Sequence, residues 1–205
     1  MRVLIFDTET TGLPLWSSPS EDPGQPHLCQ FTAAGFDDQT GDEYEYVDMI
    51  VKPDGWIIPP DMTRLHGISQ ERALAEGVPE IDAARAFYRM ARAADRVSGF
   101  SVDFDIRILR IAMKRAGIPD DALEAFSGMV KEKKHDVKRQ CTPVCKIPPS
   151  HKMMAAGRKT GFKEPTLIEA VKIILGEDFP DAHDARADVL ATIRLYRHLN
   201  PGASL

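Results

Sequence analysis

Residues 2–12 read RVLIFDTETTG, and the reading of this stretch decides the fold. Val3 to Phe6 form an apolar run that passes straight into Asp7, and a second acid, Glu9, follows two residues later. Side chains of a strand alternate between its faces, so Asp7 and Glu9 point the same way, about 7 Å apart along the strand. The run before them is apolar on both faces, which predicts a strand buried in the middle of a sheet. Two like charges held side by side are costly unless something compensates them. A solvated strand end is one compensation. A divalent cation is another, because carboxylates are preferred ligands of hard ions such as Mg2+ and Mn2+. The pair alone does not decide between these, so the rest of the chain must supply its partners.

The 205 residues suit a single domain spanning 1–205, with enough chain for a sizeable core. No apolar run approaches the ~20 residues that cross a bilayer. The first apolar stretch is too short for a signal peptide. A cytoplasmic protein with no membrane partner is expected. Three cysteines, Cys29, Cys141 and Cys145, are few and odd in number, which argues against a disulfide framework. The spacing of His135, Cys141, Cys145 and His151 fits no zinc pattern, and Pro143 lies between the cysteines.

The formal charge of −5 does not by itself suggest a nucleic-acid partner. Its distribution is uneven, however. From Lys131 to Lys163 there are ten Lys and Arg against two acids, Glu132 and Asp136, which leaves an acidic body with one basic segment. Three prolines interrupt that segment, and about 131–163 is expected to be irregular. Such a segment either attracts a polyanion to one region or is a solvated surface loop.

Leu28 to Phe36 and Glu43 to Val51 read as a β-hairpin, preceded by an irregular loop dense in Pro, Ser and Gly. Short helices are expected around the turn at His66 to Ser69, then an amphipathic helix with Ile81, Ala84, Phe87, Tyr88 and Ala91 on one face. A short strand follows near Val97. The next helix should be capped by Asp103 and end at Gly117, a further helix should stop at Gly176, and the last should carry Val189, Ile193, Tyr196 and Leu199 as its core stripe. Strands and helices mix in this way in an α/β fold with a central sheet flanked by helices.

Two more acids open helices. Asp105 lies in the first turn after the short strand, and Asp188 lies in the first turn of the last helix, with Asp184 as cap and His183 just ahead of it. Singly, each is explained by the preference of helix N-termini for acids. Together with Asp7-Thr8-Glu9-Thr10-Thr11-Gly12, the Phe104-Asp105 pair and the His183–Asp188 spacing resemble the DEDDh family of 3′–5′ exonucleases, which includes polymerase proofreading subunits. One departure is that the family's His-Asn ahead of Phe-Asp is Phe100-Ser101 here.

The resemblance implies a ribonuclease H-like mixed sheet of about five strands. It implies hydrolysis of terminal phosphodiesters of single-stranded DNA to nucleoside 5′-monophosphates. Two divalent cations, Mg2+ or Mn2+, would be held by Asp7, Glu9, Asp105 and Asp188, with His183 as general base. Thr8, Thr10, Gly12, Leu13, His66, Phe100 and Ser101 would contact substrate, Phe100 either by stacking on a base or as a core residue. The Pro-rich loop and basic segment are similar to those of phage and bacterial exonucleases, which favours DNA over RNA and admits a DNA polymerase or recombination partner. The alternatives are an exoribonuclease acting on RNA 3′ ends, and a non-catalytic nucleic-acid-binding subunit of the same fold; the five intact catalytic positions stand against the second.

Overall fold

Residues 1–157, 160–180 and 182–201 are described by a computed structural model of the chain. In order they form β1 (Arg2–Thr10), β2 (Leu28–Asp37), β3 (Glu43–Ile50), α1 (Pro60–His66), α2 (Gln70–Glu76), α3 (Glu80–Ala93), β4 (Arg96–Gly99), α4 (Val102–Arg115), α5 (Asp120–Lys133), β5 (Lys134–Asp136), α6 (Val137–Cys145), α7 (His151–Ala155), α8 (Leu167–Ala170) and α9 (Ala185–Leu199). After α8 the chain continues as a π-helical turn to Leu175 and stops at Gly176, whose φ of 75° only glycine adopts without strain. Among the described residues no helix is long and apolar enough to cross a membrane.

The sheet order is β3-β2-β1-β4-β5. β1 pairs antiparallel with β2 and parallel with β4, so the opening stretch is the central strand. Its alternation divides the core in two. Leu4 and Phe6 face α3, α4 and α5, where Phe6 lies 4.6 Å from Phe87 between ring centroids. Val3 and Ile5 face the opposite way, onto Val137 and Cys141 of α6 and Val189 and Tyr196 of α9. Asp7 and Glu9 continue this second parity, so the strand's period delivers both acids to the side on which α9 packs.

β4 pairs with β1 only as far as Ile5–Ser98, so the carboxyl end of β1 projects beyond its parallel neighbour. The gap is closed by the start of α4. A Cβ at Gly99 would stand 3.0 Å from the Phe6 carbonyl oxygen, so the chain turns off the sheet in close contact with β1.

Two local expectations are corrected, and for Phe100 the core alternative holds. Helix α4 is capped at Ser101 without a side-chain hydrogen bond; Asp103 lies within its first turn and pairs with Lys134 and Arg139 instead. Phe100 is buried beside Val3, Ile5 and Phe36, because the face of the sheet it meets is covered by α6 and α9. The segment 131–163 is largely regular, comprising the end of α5, then β5, α6 and α7. Val137, Cys141 and Cys145 recur every fourth residue along α6 and are all buried, and Pro143 inside the helix masked that pattern in the sequence. Arg158 and Lys159 of this segment lie outside the described residues. Several of its cations are engaged: the Lys133 ammonium donates to the carbonyls of Ala91 and Ala94 at 3.1 and 2.7 Å, and Lys163 pairs with Glu169 at 2.6 Å.

At Gly77 the link from α2 to α3 is threaded against the end of β3. A Cβ there would lie 2.4 Å from the Ala73 carbonyl oxygen and 2.5 Å from the Lys52 nitrogen. Both are backbone atoms and cannot swing away. Gly77→Ala is expected to lower unfolding free energy by about 1–3 kcal/mol in urea titrations. A variant as stable as the parent would show that the link is free to shift.

Candidate active site

Asp7, Glu9, Asp105 and Asp188 line one cleft of about 630 Å³, together with His183. Each reaches it by a different element. Asp7 and Glu9 come from the projecting end of β1. Asp188 comes from the first turn of α9, whose cap, Asp184, accepts from the backbone N–H groups of Arg186 and Ala187 as expected. One oxygen from each of Asp7, Glu9 and Asp188 falls within 4.8 Å of the others.

Asp105 is fixed most firmly. Its Oδ1 accepts from the Thr8 backbone N–H at 3.1 Å and from the Thr8 hydroxyl at 2.6 Å. The Thr8 N–H lies beyond the last β1–β4 pair, so the carboxylate satisfies a backbone donor left over where the parallel ladder ends. The other oxygen, Oδ2, is buried with no partner among the described residues, and so is Oδ1 of Asp188. A buried carboxylate oxygen without a donor costs on the order of 1–3 kcal/mol. Two such oxygens beside two more acids fit the ligand set of a hard divalent ion.

The electrostatics point the same way. Burial, then Asp105, Asp188 and Glu9, push the Asp7 pKa well above the usual carboxylate range. Burial first, then Asp188 and Asp105, lift Glu9 to about 8. Burial raises Asp105 to about 7 against the lowering effect of the Thr8 hydrogen bonds. Asp188 rises to about 7 through burial, partly offset by the backbone N–H of His183. Only added positive charge allows all four to ionise together near neutrality.

His183 is exposed and has a φ of 74°, a left-handed conformation uncommon for a residue with a side chain. It borders both this cleft and a second one of about 500 Å³ that contains His66, Arg64 and Arg186. The His66 side chain is buried at the end of α1, and Gly67 at φ 75° turns the chain toward α2. Its Nδ1 accepts the Ile68 N–H at 3.2 Å, so the proton of the neutral ring sits on Nε2. Burial lowers the His66 pKa and favours that neutral form. Nε2 is therefore a buried donor, and it has no partner among the described residues.

The remaining sequence candidates divide. Gly12, Leu13, Thr8, Thr10 and Ser101 line the first cleft, while Phe100 does not. The Thr8 hydroxyl is spent on Asp105, and the Thr10 hydroxyl closes the following turn by donating to the Gly12 carbonyl at 2.7 Å. Leu13 is 81 % exposed and Trp16 60 %, and together with Leu65 they form an apolar rim. Trp16 was not anticipated, although an aromatic in a Pro-rich loop is a visible signal. Its loop is held by Gln25, 2 % exposed, whose amide donates to the carbonyls of Leu15 and Pro19 at 3.0 and 2.9 Å. Asp136 and Lys138 were also missed. Asp136 caps α6 by accepting from the Arg139 N–H at 2.9 Å. The strand–Asp–helix pattern at 134–138 was the available signal.

Acids with raised pKa bind protons more tightly when folded than unfolded. Their contribution to stability is therefore complete below the unfolded value of about 4 and is lost as pH rises through about 7–8. In chelator, the protein is expected to have a lower Tm at pH 8.5 than at pH 5.5. Asp7→Asn and millimolar Mg2+ should each flatten that dependence in thermal melts. A flat profile for the chelated parent would contradict the clustering of charge.

The exonuclease family model, of the RNase T type, matches residues 4–196. No curated protein matches the chain. Solved structures with the same fold include Escherichia coli exonuclease I in complex with a dT13 oligonucleotide, at a TM-score of 0.71 and 22 % identity, covering 96 % of this chain and 40 % of that one. The zinc-bound form of an E. coli exonuclease I complex with single-stranded DNA gives 0.71 and 22 %, covering 98 % and 40 %. An exonuclease I complex with the SSB C-terminus gives 0.70 and 21 %, covering 98 % and 41 %. The chain thus spans about two fifths of the length of these structures. With the five-stranded ribonuclease H-like sheet and a family match over nearly the whole sequence, the chain belongs to the exonuclease family.

Proposed function

We propose that the protein removes nucleotides from the 3′ end of single-stranded DNA, releasing nucleoside 5′-monophosphates. The observation that carries this reading is the meeting of four acids with raised pKa in one cleft beside His183, two of them with buried oxygens lacking donors among the described residues. Asp7, Glu9, Asp105 and Asp188 would hold two divalent cations, Mg2+ or Mn2+. When bound, these ions supply the positive charge that stabilises the attacking and leaving oxygens of an in-line displacement. Water attacks phosphorus, the bond to O3′ of the penultimate nucleotide breaks, and the released alkoxide takes a proton. An imidazole nitrogen of His183 accepts the proton of the attacking water, the general-base role that histidine side chains most often take.

The walls support a single-stranded end. The exposed Leu13 and Trp16 offer faces on which unstacked bases can lie, which a paired duplex does not provide. The His66 Nε2–H, one wall away, is a fixed donor for an oxygen of the terminal nucleotide. That E. coli exonuclease I binds dT13 supports DNA as the substrate class.

Single-stranded DNA and RNA labelled at either end, incubated with Mg2+ or Mn2+, test the reading. A ladder shortening from the 3′ end of DNA is expected, lost in excess EDTA and in folded Asp7→Ala. Hydrolysis that survives either change, or that consumes only RNA, would overturn it. His183→Ala should lower kcat by ~10²–10⁴ with little change in divalent-ion affinity by calorimetry. Lost ion binding with a normal rate at saturating ion would make His183 a ligand rather than a base.

A further inference from the structure

Two cationic side chains line the cleft among the described residues, Lys138 and Arg139. They are held differently. The Arg139 guanidinium is bound to Asp103 at 3.4 Å and approaches Asp136 at 4.0 Å, and it is 66 % exposed. Lys138, at the second position of α6, is only 24 % exposed, and its ammonium reaches across the cleft to donate to the Ser101 hydroxyl at 3.0 Å. Its one acidic partner among the described residues is Glu164, at a loose 3.6 Å and itself 55 % exposed. An ammonium has three donors, and this one spends a single short hydrogen bond on a neutral hydroxyl. Its field is felt at Asp105, where it favours the carboxylate.

Charge balance shows what this arrangement lacks. Two divalent ions cancel four carboxylates, and the phosphodiester then brings one further negative charge that grows as water attacks. A half-buried ammonium, not neutralised by a close carboxylate, is the group on this wall that can meet that charge. We infer that Lys138 binds a non-bridging oxygen of the DNA backbone within the cleft, by turning its ammonium from Glu164 onto the phosphate while keeping Ser101. The inference rests on the reading of the cleft as a nuclease site. It assigns a substrate-binding residue to a helix that no catalytic acid occupies.

Three variants separate charge from architecture. Lys138→Gln retains a donor for the Ser101 hydroxyl but loses the cation, Lys138→Ala loses both, and Lys138→Arg retains charge. On oligonucleotides, Gln and Ala are expected to lower kcat/KM by about 10- to 100-fold, the effect of one charge-assisted hydrogen bond. The dependence of log KM on log salt should flatten by ~0.7 in both. Arg should recover most of the rate and the full salt slope, with Tm unchanged throughout. Thymidine 5′-(p-nitrophenyl phosphate), which has a single phosphodiester, distinguishes the two places the oxygen can belong. A matching loss on this ester places it on the scissile phosphate, and a loss confined to oligonucleotides places it on the neighbouring one. If the parent cleaves DNA and Lys138→Gln matches it in kcat/KM and salt slope on both substrates, the inference is overturned and the nuclease reading stands. If the parent cleaves nothing, the nuclease reading fails. Fluorescence anisotropy with labelled dT13 then decides on Lys138: weaker, less salt-sensitive binding by Lys138→Gln supports the contact, and an unchanged Kd removes it.

Discussion

The repulsion among four carboxyl groups withdrawn from water is the constraint around which the rest of the molecule is arranged. Left to itself, such a cluster would spread apart or take up protons. Here Asp7 and Glu9 cannot separate without distorting the central strand of the sheet, because they alternate with Phe6 and Thr8 along β1. The apolar contacts of Leu4 and Phe6 on one face and Val3 and Ile5 on the other hold that strand in place. Hydrophobic burial spread over two layers therefore holds unfavourable electrostatics together at one strand end. The cost is relieved locally when positive charge arrives, which is how a stable scaffold comes to have high affinity for cations at one point.

The division of labour among the acids follows from where each is anchored. Asp105 is tied on one oxygen by two hydrogen bonds and presents the other. It also touches β1 directly, through Thr8. Asp188 depends instead on the packing of α9, through Val189 and Tyr196, against Val3 and Ile5. The site is thus assembled from contacts that exist only when both layers are folded. Formation of the sheet, the packing of α4 and the packing of α9 are conditions of one another as far as this cleft is concerned.

Much of this was legible in the sequence because it depends on local periodicity. The D-x-E at a strand end fixes which face the acids share. The hairpin from Leu28 to Ile50 and the cap at Asp184 follow from alternation and helix-end chemistry. What stayed hidden depends on tertiary context. Phe100 is an aromatic beside a motif, and whether it meets a base or the core is decided by α6 and α9, distant in sequence. Helix α6 was obscured because Pro143 is tolerated in its last turn and because a dense run of Lys and Arg reads as surface loop until its partners are seen. The roles of Asp136 and Lys138 were lost with it.

The loop between β1 and β2 has no regular secondary structure from Leu13 to His27, yet one buried amide organises its first half. Gln25 binds Leu15 through both its oxygen and its nitrogen and holds Pro19 besides, and Arg107 ties Ser18 and Ser20 to α4. Trp16 lies inside this clamp. Its backbone is therefore ordered before any ligand arrives, and the conformational entropy that a free loop would lose on closing over a base has already been lost in folding. A large indole left in water is the visible counterpart of that preorganisation: the aromatic surface stays presented because the backbone that carries it has nowhere else to go.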